Sequence, residues 1–175
     1  MKLKIEKAYK SFSNLFKNIG KVCNRCDTCC RTYGWLLKNE AKKLSKMGYP
    51  VVKINNKISC IDSFKRNKNR RIVFEKIPVC RFYKYKRCEI QKNKPLDCRL
   101  YPLKLIFEDD KPIWVISLGC KYISSLNEHQ MEDLVKKTKI KLEKTPKKVL
   151  DEYILLMFDI NKISKSKRFW KRRII

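Results

Sequence analysis

The sequence predicts an α+β fold, a small and mainly antiparallel sheet with flanking helices, stapled by cysteine-rich loops that suit a metal. Three observations carry this expectation. Apolar residues recur at helical pitch near both ends of the 175-residue chain, while residues 51–116 break into short β-prone runs. No Gly/Ser/Pro-rich linker divides the chain, whose length suits one compact domain. Seven of the nine cysteines stand in two groups, Cys23-Asn-Arg-Cys26-Asp-Thr-Cys29-Cys30 and Cys80-x7-Cys88-x9-Cys98, and Cys120 follows as an eighth. With 43% hydrophobic and 11% aromatic residues the chain can build a core despite 35% charged residues, which excludes global disorder.

In residues 2–19, Ile5, Ala8, Phe12, Leu15, Phe16 and Ile19 share one helical sector, with Lys2, Lys7, Lys10 and Lys17 outside it. This pattern predicts an amphipathic helix that stops at Gly20 and packs on its own domain; an anionic membrane surface is the other home for such a helix. A second helix is expected from Trp35 to Met47, closed by Gly48 with Pro50 beyond, its Leu37, Ala41, Leu44 and Met47 covering the cysteine loop. Strands are expected at Val51–Ile54, Ile58–Ile61, Arg71–Phe74, Arg81–Tyr85, Lys104–Phe107 and Ile113–Ser117, with a hairpin around Glu108-Asp-Asp-Lys-Pro112. Helical pitch returns at Met131, Leu134 and Val135, after a capping box from Asn127 with Gln130 or Ser125 with Glu128. A last helix is expected to take Thr145 as N-cap and Pro146 as its first residue, and to run through Val149, Leu150, Tyr153, Ile154, Met157 and Phe158. The basic end reads as a frayed tail. The expected organisation is thus a helix at 1–19, a metal-binding domain at 20–122, helices packed on it at 123–161 and a tail at 162–175.

Only four glycines occur, none in a dinucleotide fingerprint or P-loop. One histidine excludes a His-x3-His zinc helix, and the motifs for a Ser/His/Asp triad are missing too. That residue, His129, is expected on the surface, and Asp109-Asp110 is expected in a turn. The opening residues lack a signal-peptide apolar region, and no apolar run approaches the ~20 residues of a membrane span, so a cytoplasmic protein with no transmembrane segment is expected. In a reducing compartment, thiols at Cys-x2-Cys spacing are metal ligands or redox centres more often than disulfides.

The Cys-x2-Cys-x2-Cys spacing turns the backbone so that sulfurs converge, which suits tetrahedral zinc or an iron-sulfur cluster. Adjacent Cys29 and Cys30 are expected to diverge, which favours two centres over one. Cys60 is expected to be a small buried side chain. The formal charge of +27, from 44 Lys plus Arg against 17 Asp plus Glu, attracts polyanions, with Tyr83, Tyr85, Phe169 and Trp170 as stacking candidates for nucleic acid. The lysines are spread along the chain, so a general compositional bias stays open beside that reading.

Cys23-x2-Cys26-x2-Cys29-Cys30, then Cys80, Cys88, Lys94-Pro95-x2-Cys98-Arg99-x-Tyr101-Pro102 and Gly119-Cys120, resemble the YkgJ-like CxxCxxCC family, named as a zinc- or iron-chelating domain. The resemblance spans about residues 20 to 122 and includes Lys38-Asn-Glu40-Ala-Lys-Lys-Leu44. It implies that Cys23, Cys26, Cys29, Cys30, Cys80, Cys88, Cys98 and Cys120 are ligands to zinc or an iron-sulfur centre, with Arg99 and Tyr101 supporting them. Here Lys94 stands where the family usually has Arg, and the stretch between Cys80 and Cys88 lacks the common glycine turn. Flagellin lysine N-methylases have a similar cysteine pattern, which implies S-adenosylmethionine-dependent methyl transfer as an alternative role. No catalytic residue is singled out.

Overall fold

The computed structural model describes residues 12, 28–31, 34–61, 65–66, 72–73, 80, 82–85, 87–163 and 172–174. The expected helix at 2–19 lies outside the described residues apart from Phe12, which is helical and buried. The fold is α+β, as expected, with five helices and small antiparallel sheets among the described residues. The chain divides into two compact units, Cys23–Cys98 and the remainder, so the segment 20–122 contributes to both.

In the Cys23–Cys98 unit, β1 (Trp35–Leu36) leads into α1 (Lys38–Lys46), followed by β2 (Val51–Lys53) and β3 (Ser59–Ile61). The three strands form an antiparallel sheet in the order β1-β3-β2, with Trp35 opposite Cys60 and Val52 opposite Cys60 on the other side. The residues Trp35–Leu37, expected to be helical, instead form a strand and its exit. Their local helical pattern is overridden by pairing with β3 and by a carboxylate that binds the Leu37 N–H and so fixes where α1 begins. The other end of α1 is as expected. Gly48 sits at φ 77, the Tyr49 N–H reaches the Leu44 carbonyl at 3.0 Å, and the Gly48 N–H reaches that of Ser45 at 3.0 Å. This double bond satisfies carbonyls that the helix end would leave open.

Two further two-stranded ribbons follow, β4 (Lys65–Arg66) with β5 (Ile72–Val73), and β6 (Tyr83–Lys84) with β7 (Arg87–Cys88). β5 and β6 fall within the strands expected at Arg71–Phe74 and Arg81–Tyr85, whereas β4 and β7 lie where no strand was expected. Leu36, Leu44, Ile61, Phe82 and Ile90 form the buried cluster, against which Ala41, Tyr49, Val51, Cys80 and Cys88 pack. Tyr49 meets Phe82 edge-on at 5.4 Å between ring centres. Met47, expected to help cover the cysteine loop, is 46% exposed. The short helix α2 (Leu96–Leu100) contains the boundary between the two units.

The other unit is built on a longer hairpin. β8 (Leu103–Glu108) and β9 (Lys111–Ser117) pair from Leu103↔Ile116 to Glu108↔Lys111. Asp109 and Asp110 both have positive φ, 49° and 60°, the mirror-image turn whose twist matches that of the strands. α3 (Lys121–Ser124), α4 (Glu128–Glu143) and α5 (Lys147–Ile163) follow. The Asn127 side chain accepts from the Gln130 N–H at 2.9 Å, and the Gln130 side chain accepts from the Asn127 N–H at 3.1 Å, the first of the two expected capping boxes. The Thr145 hydroxyl, expected to cap α5, donates instead to the Lys141 carbonyl at 2.7 Å. α5 packs on β8, with Tyr153 stacked on Trp114 at 5.9 Å and Phe158 against Phe107 at 5.3 Å.

β10 (Arg172–Ile174) pairs antiparallel with the second edge of β9, Arg172 opposite Ser117 and Ile174 opposite Val115. The frayed tail expected there is corrected at these three residues: an open strand edge offers a row of unpaired backbone groups that an extended segment satisfies. No helix among the described residues is long and apolar enough to cross a membrane.

Candidate metal centre

Three separate stretches of the Cys23–Cys98 unit carry the thiols that the sequence singled out. Cys29 and Cys30 lie on a single 3-10 turn, Thr28–Arg31, and Cys23 and Cys26 lie outside the described residues. The Cys80 N–H donates to the Cys30 carbonyl at 2.6 Å, which joins the second stretch to the first. Cys88 is brought alongside by the ribbon β6–β7, where it pairs with Tyr83, and the Tyr83 N–H in turn donates to the Cys80 carbonyl at 2.9 Å. Cys98 sits on α2 against Gly34; a Cβ on that glycine would lie 3.2 Å from the Cys98 Sγ and 3.0 Å from the Ile61 Cδ1. A side chain at position 34 would therefore be tight against both, at a position the sequence did not single out.

The field at each thiol identifies its neighbours. Cys30 is held far above the ordinary thiol range by its hydrogen bond with Cys29, by burial, and by the charges of Cys29, Cys80 and Cys88. Cys80 is raised chiefly by burial, with the Phe82 N–H opposing and Cys88 and Cys29 adding to the shift. Burial also raises Cys88, against the pull of Lys94 and the Ile90 N–H. Cys98 is pushed well up by burial and by Asp97, with Lys94 opposing and Cys80 and Cys29 adding. The field of Cys29 thus reaches Cys30, Cys80, Cys88 and Cys98, and the Lys94 ammonium opposes the shift at Cys88 and Cys98. Without a cation Cys30, Cys80, Cys88 and Cys98 stay protonated at neutral pH, because burial and neighbouring negative charge disfavour their thiolates.

The Cys29 and Cys30 sulfurs are 3.8 Å apart. The divergence expected of adjacent side chains is not found on this tight 3-10 turn. In a tetrahedron of sulfurs each ~2.3 Å from zinc, neighbouring sulfurs are separated by ~3.8 Å. The pair therefore fits two positions on one ion, and its adjacency no longer favours two centres. Among the described residues, no three Cys, His, Asp or Glu side chains stand close enough to hold an ion together. The donor chemistry of Cys29, Cys30, Cys80, Cys88 and Cys98, all half-buried free thiols, suits a soft cation or cluster.

The remaining candidates fall elsewhere. Cys120 belongs to the other unit, where it is buried just before α3 with its N–H donating to the Ser117 carbonyl at 3.2 Å. Arg99 lies on α2, and Tyr101 follows it with a cis bond to Pro102 and the Lys104 ammonium 5.6 Å over its ring. Cys60 is fully buried on β3, its thiol directed at the Val52 carbonyl at 3.9 Å, which fits the small-side-chain reading. His129 is exposed on α4. Tyr83 is half-buried and Tyr85 93% exposed, while Phe169 and Trp170 lie outside the described residues.

Two acidic residues that the sequence did not single out border the thiols. Glu40 on α1 accepts from the Leu37 N–H with Oε2 at 3.0 Å and from the Leu96 N–H with Oε1 at 2.7 Å. Asp97 on α2 accepts from the Trp35 N–H with Oδ2 at 3.2 Å. Comparison of the chain with family models, with curated proteins and with solved structures found no match.

Proposed function

We propose that this chain is a metal protein that holds zinc or an iron-sulfur centre through its cysteines. The observation that supports this best is geometric: the Cys29 and Cys30 sulfurs lie 3.8 Å apart, the Cys80 N–H is bonded to the Cys30 carbonyl, and the ribbon β6–β7 ties Cys88 to the Tyr83 that bonds Cys80. Thiols gathered in this way are costly to ionise unless a cation is present to neutralise them, and a soft divalent ion or a cluster does so. Resemblance to the YkgJ-like family supports the same ligands and adds Cys23, Cys26 and Cys120, with Arg99 and Tyr101 as their support. When bound, zinc would supply a structural cross-link or a Lewis acid, and a cluster would supply one-electron transfer. Lys94 would offset the net negative charge of the thiolates, and the Phe82, Tyr83 and Ile90 N–H groups would donate to sulfur.

Anaerobic purification followed by metal analysis and an absorption spectrum tests the reading. Iron with visible absorption marks a cluster, and zinc with none marks a zinc site. Protein that is free of both metals under those conditions overturns the proposal.

A second reading, a basic module that contacts nucleic acid, draws on the charge of +27 and on exposed Lys136, Lys137, Lys139, Lys144, Lys147 and Lys148 around the turn between α4 and α5. It predicts binding to RNA or DNA that weakens steeply with salt. Absence of binding at low ionic strength removes it.

A further inference from the structure

We infer that Glu40 and Asp97 act as a paired carboxylate clamp that positions Cys98 for the metal centre, without being ligands themselves. The inference rests on the metal-site reading and names the residues that would preorganise it. The two bonds run in opposite directions between the same two stretches. Glu40, from the stretch 34–46, holds the N–H of Leu96, 56 residues on, and Asp97, from the start of α2, holds the N–H of Trp35, 62 residues back. A single contact would leave α2 able to pivot about it. Two contacts, at Leu96 and Asp97, fix the first turn of α2, and Cys98 is the next residue.

The geometry of Glu40 is specific to a carboxylate. Each of its oxygens accepts a different backbone N–H, one starting α1 and one starting α2. A glutamine has one acceptor oxygen and would leave one of these donors facing an NH2 group. The Leu96 N–H belongs to the first turn of α2, where no helical carbonyl is available to it, so the carboxylate satisfies a group the helix cannot. The surroundings are close-packed: Leu36, Leu37 and Leu96 are 1–5% exposed. Gly34, directly before the clamped Trp35, leaves just the space the Cys98 sulfur occupies. The clamp and the glycine thus act on the same sulfur from two sides, and groups that orient metal ligands in this way change metal affinity by about 10- to 100-fold when removed.

Glu40→Ala, Glu40→Gln, Asp97→Ala and Asp97→Asn, made in the full chain and purified anaerobically, test the clamp. Two quantities are measured: the rate of metal transfer to a chromogenic chelator, and the alkylation rate of each cysteine by iodoacetamide, resolved by peptide mass spectrometry. The expected result is metal loss faster by about 10- to 100-fold in both alanine variants, with Cys98 alkylation rising on the order of tenfold while Cys60 stays protected. Asp97→Asn keeps one acceptor for the Trp35 N–H and should hold metal as the wild type does, although loss of the aspartate charge by itself raises Cys98 alkylation in both Asp97 variants, and Glu40→Gln should fall between. Wild-type alkylation of Cys98 in Glu40→Ala overturns the clamp, as does an Asp97→Asn variant that loses metal as fast as Asp97→Ala. If Glu40→Ala exposes Cys60, the unit has opened, and the Asp97 pair alone decides. A wild-type chain without metal sinks the metal-site reading instead, while the Cys98 rates still report on the clamp.

Discussion

The two compact units reach their folds by different means. The unit holding β8, β9, α4 and α5 has strands of six and seven residues, a 16- and a 17-residue helix, and a core with two aromatic ring pairs. Among its described residues the Cys23–Cys98 unit has no strand longer than three residues, a nine-residue helix, and a buried cluster of Leu36, Leu44, Ile61, Phe82 and Ile90. Two-stranded ribbons of this length are not independently stable and rely on other packing or on a staple. The difference teaches where a metal would matter for folding: in the unit that contains the thiol neighbourhood, with the other unit able to rely on its own apolar burial.

The largest expected effect breaks the comparison directly. Removal of metal by a strong chelator should abolish amide-exchange protection across residues 34–61 while leaving that of β8, β9 and α5, since structural zinc contributes on the order of 10 kcal/mol in small zinc-stapled folds. Hydrogen-exchange mass spectrometry checks this, and equal loss of protection in both units would mean that they share one stability.

Acid should act on the same unit next. The Cys30, Cys80, Cys88 and Cys98 thiols are all raised, so without a cation they hold their protons tightly, and each would have to lose one to bind a metal. A raised thiol is protonated at neutral pH, so apparent metal affinity falls as pH is lowered, by at most about 1.4 kcal/mol per pH unit for each thiol involved. Chelator competition between pH 8 and pH 6 gives the slope. A flat profile would argue that few thiols bind.

Tyr153→Ala probes the other side of the comparison. Tyr153 is 1% exposed and stacked on Trp114, so its truncation should cost about 3–5 kcal/mol in denaturant unfolding. Metal content should stay at the wild-type level, because the change lies in the unit that does not carry the thiol neighbourhood.

What could be read in the sequence follows the same division. The β8–β9 hairpin, the Asn127–Gln130 box and the Gly48 stop are local devices: their partners lie within a few residues, so spacing alone reveals them. The cysteine order likewise marked Cys29 and Cys30, whose sulfurs lie 3.8 Å apart, and Cys80, whose N–H bonds the Cys30 carbonyl. Features whose partners are distant in the chain were invisible. Trp35–Leu36 reads as helix because the strand that pairs with it lies some 24 residues on, at Ser59–Cys60. The closeness of Cys29 and Cys30 depends on a turn geometry that residue identity does not fix, and Glu40 and Asp97 look like ordinary helix-surface acids until the 56- and 62-residue contacts are drawn.

Gly34→Ala is the smallest of these perturbations and the one that sharpens the comparison most, because it adds one methyl at the thiol neighbourhood and nothing elsewhere. The new Cβ would lie 3.0 Å from the Ile61 Cδ1 and 3.2 Å from the Cys98 Sγ, closer than ordinary contact on both sides. Ile61 belongs to the buried cluster and has little room to retreat, so the sulfur has to yield as well. Overpacking of this kind costs about 1–3 kcal/mol. If the Cys23–Cys98 unit depends on its thiols for stability, the cost should be paired with faster metal loss, and β8–β9 exchange protection should not change. Were the substitution to destabilise the unit with metal retention intact, Cys98 would be a core side chain, and the ligand set would have to be found among the other thiols.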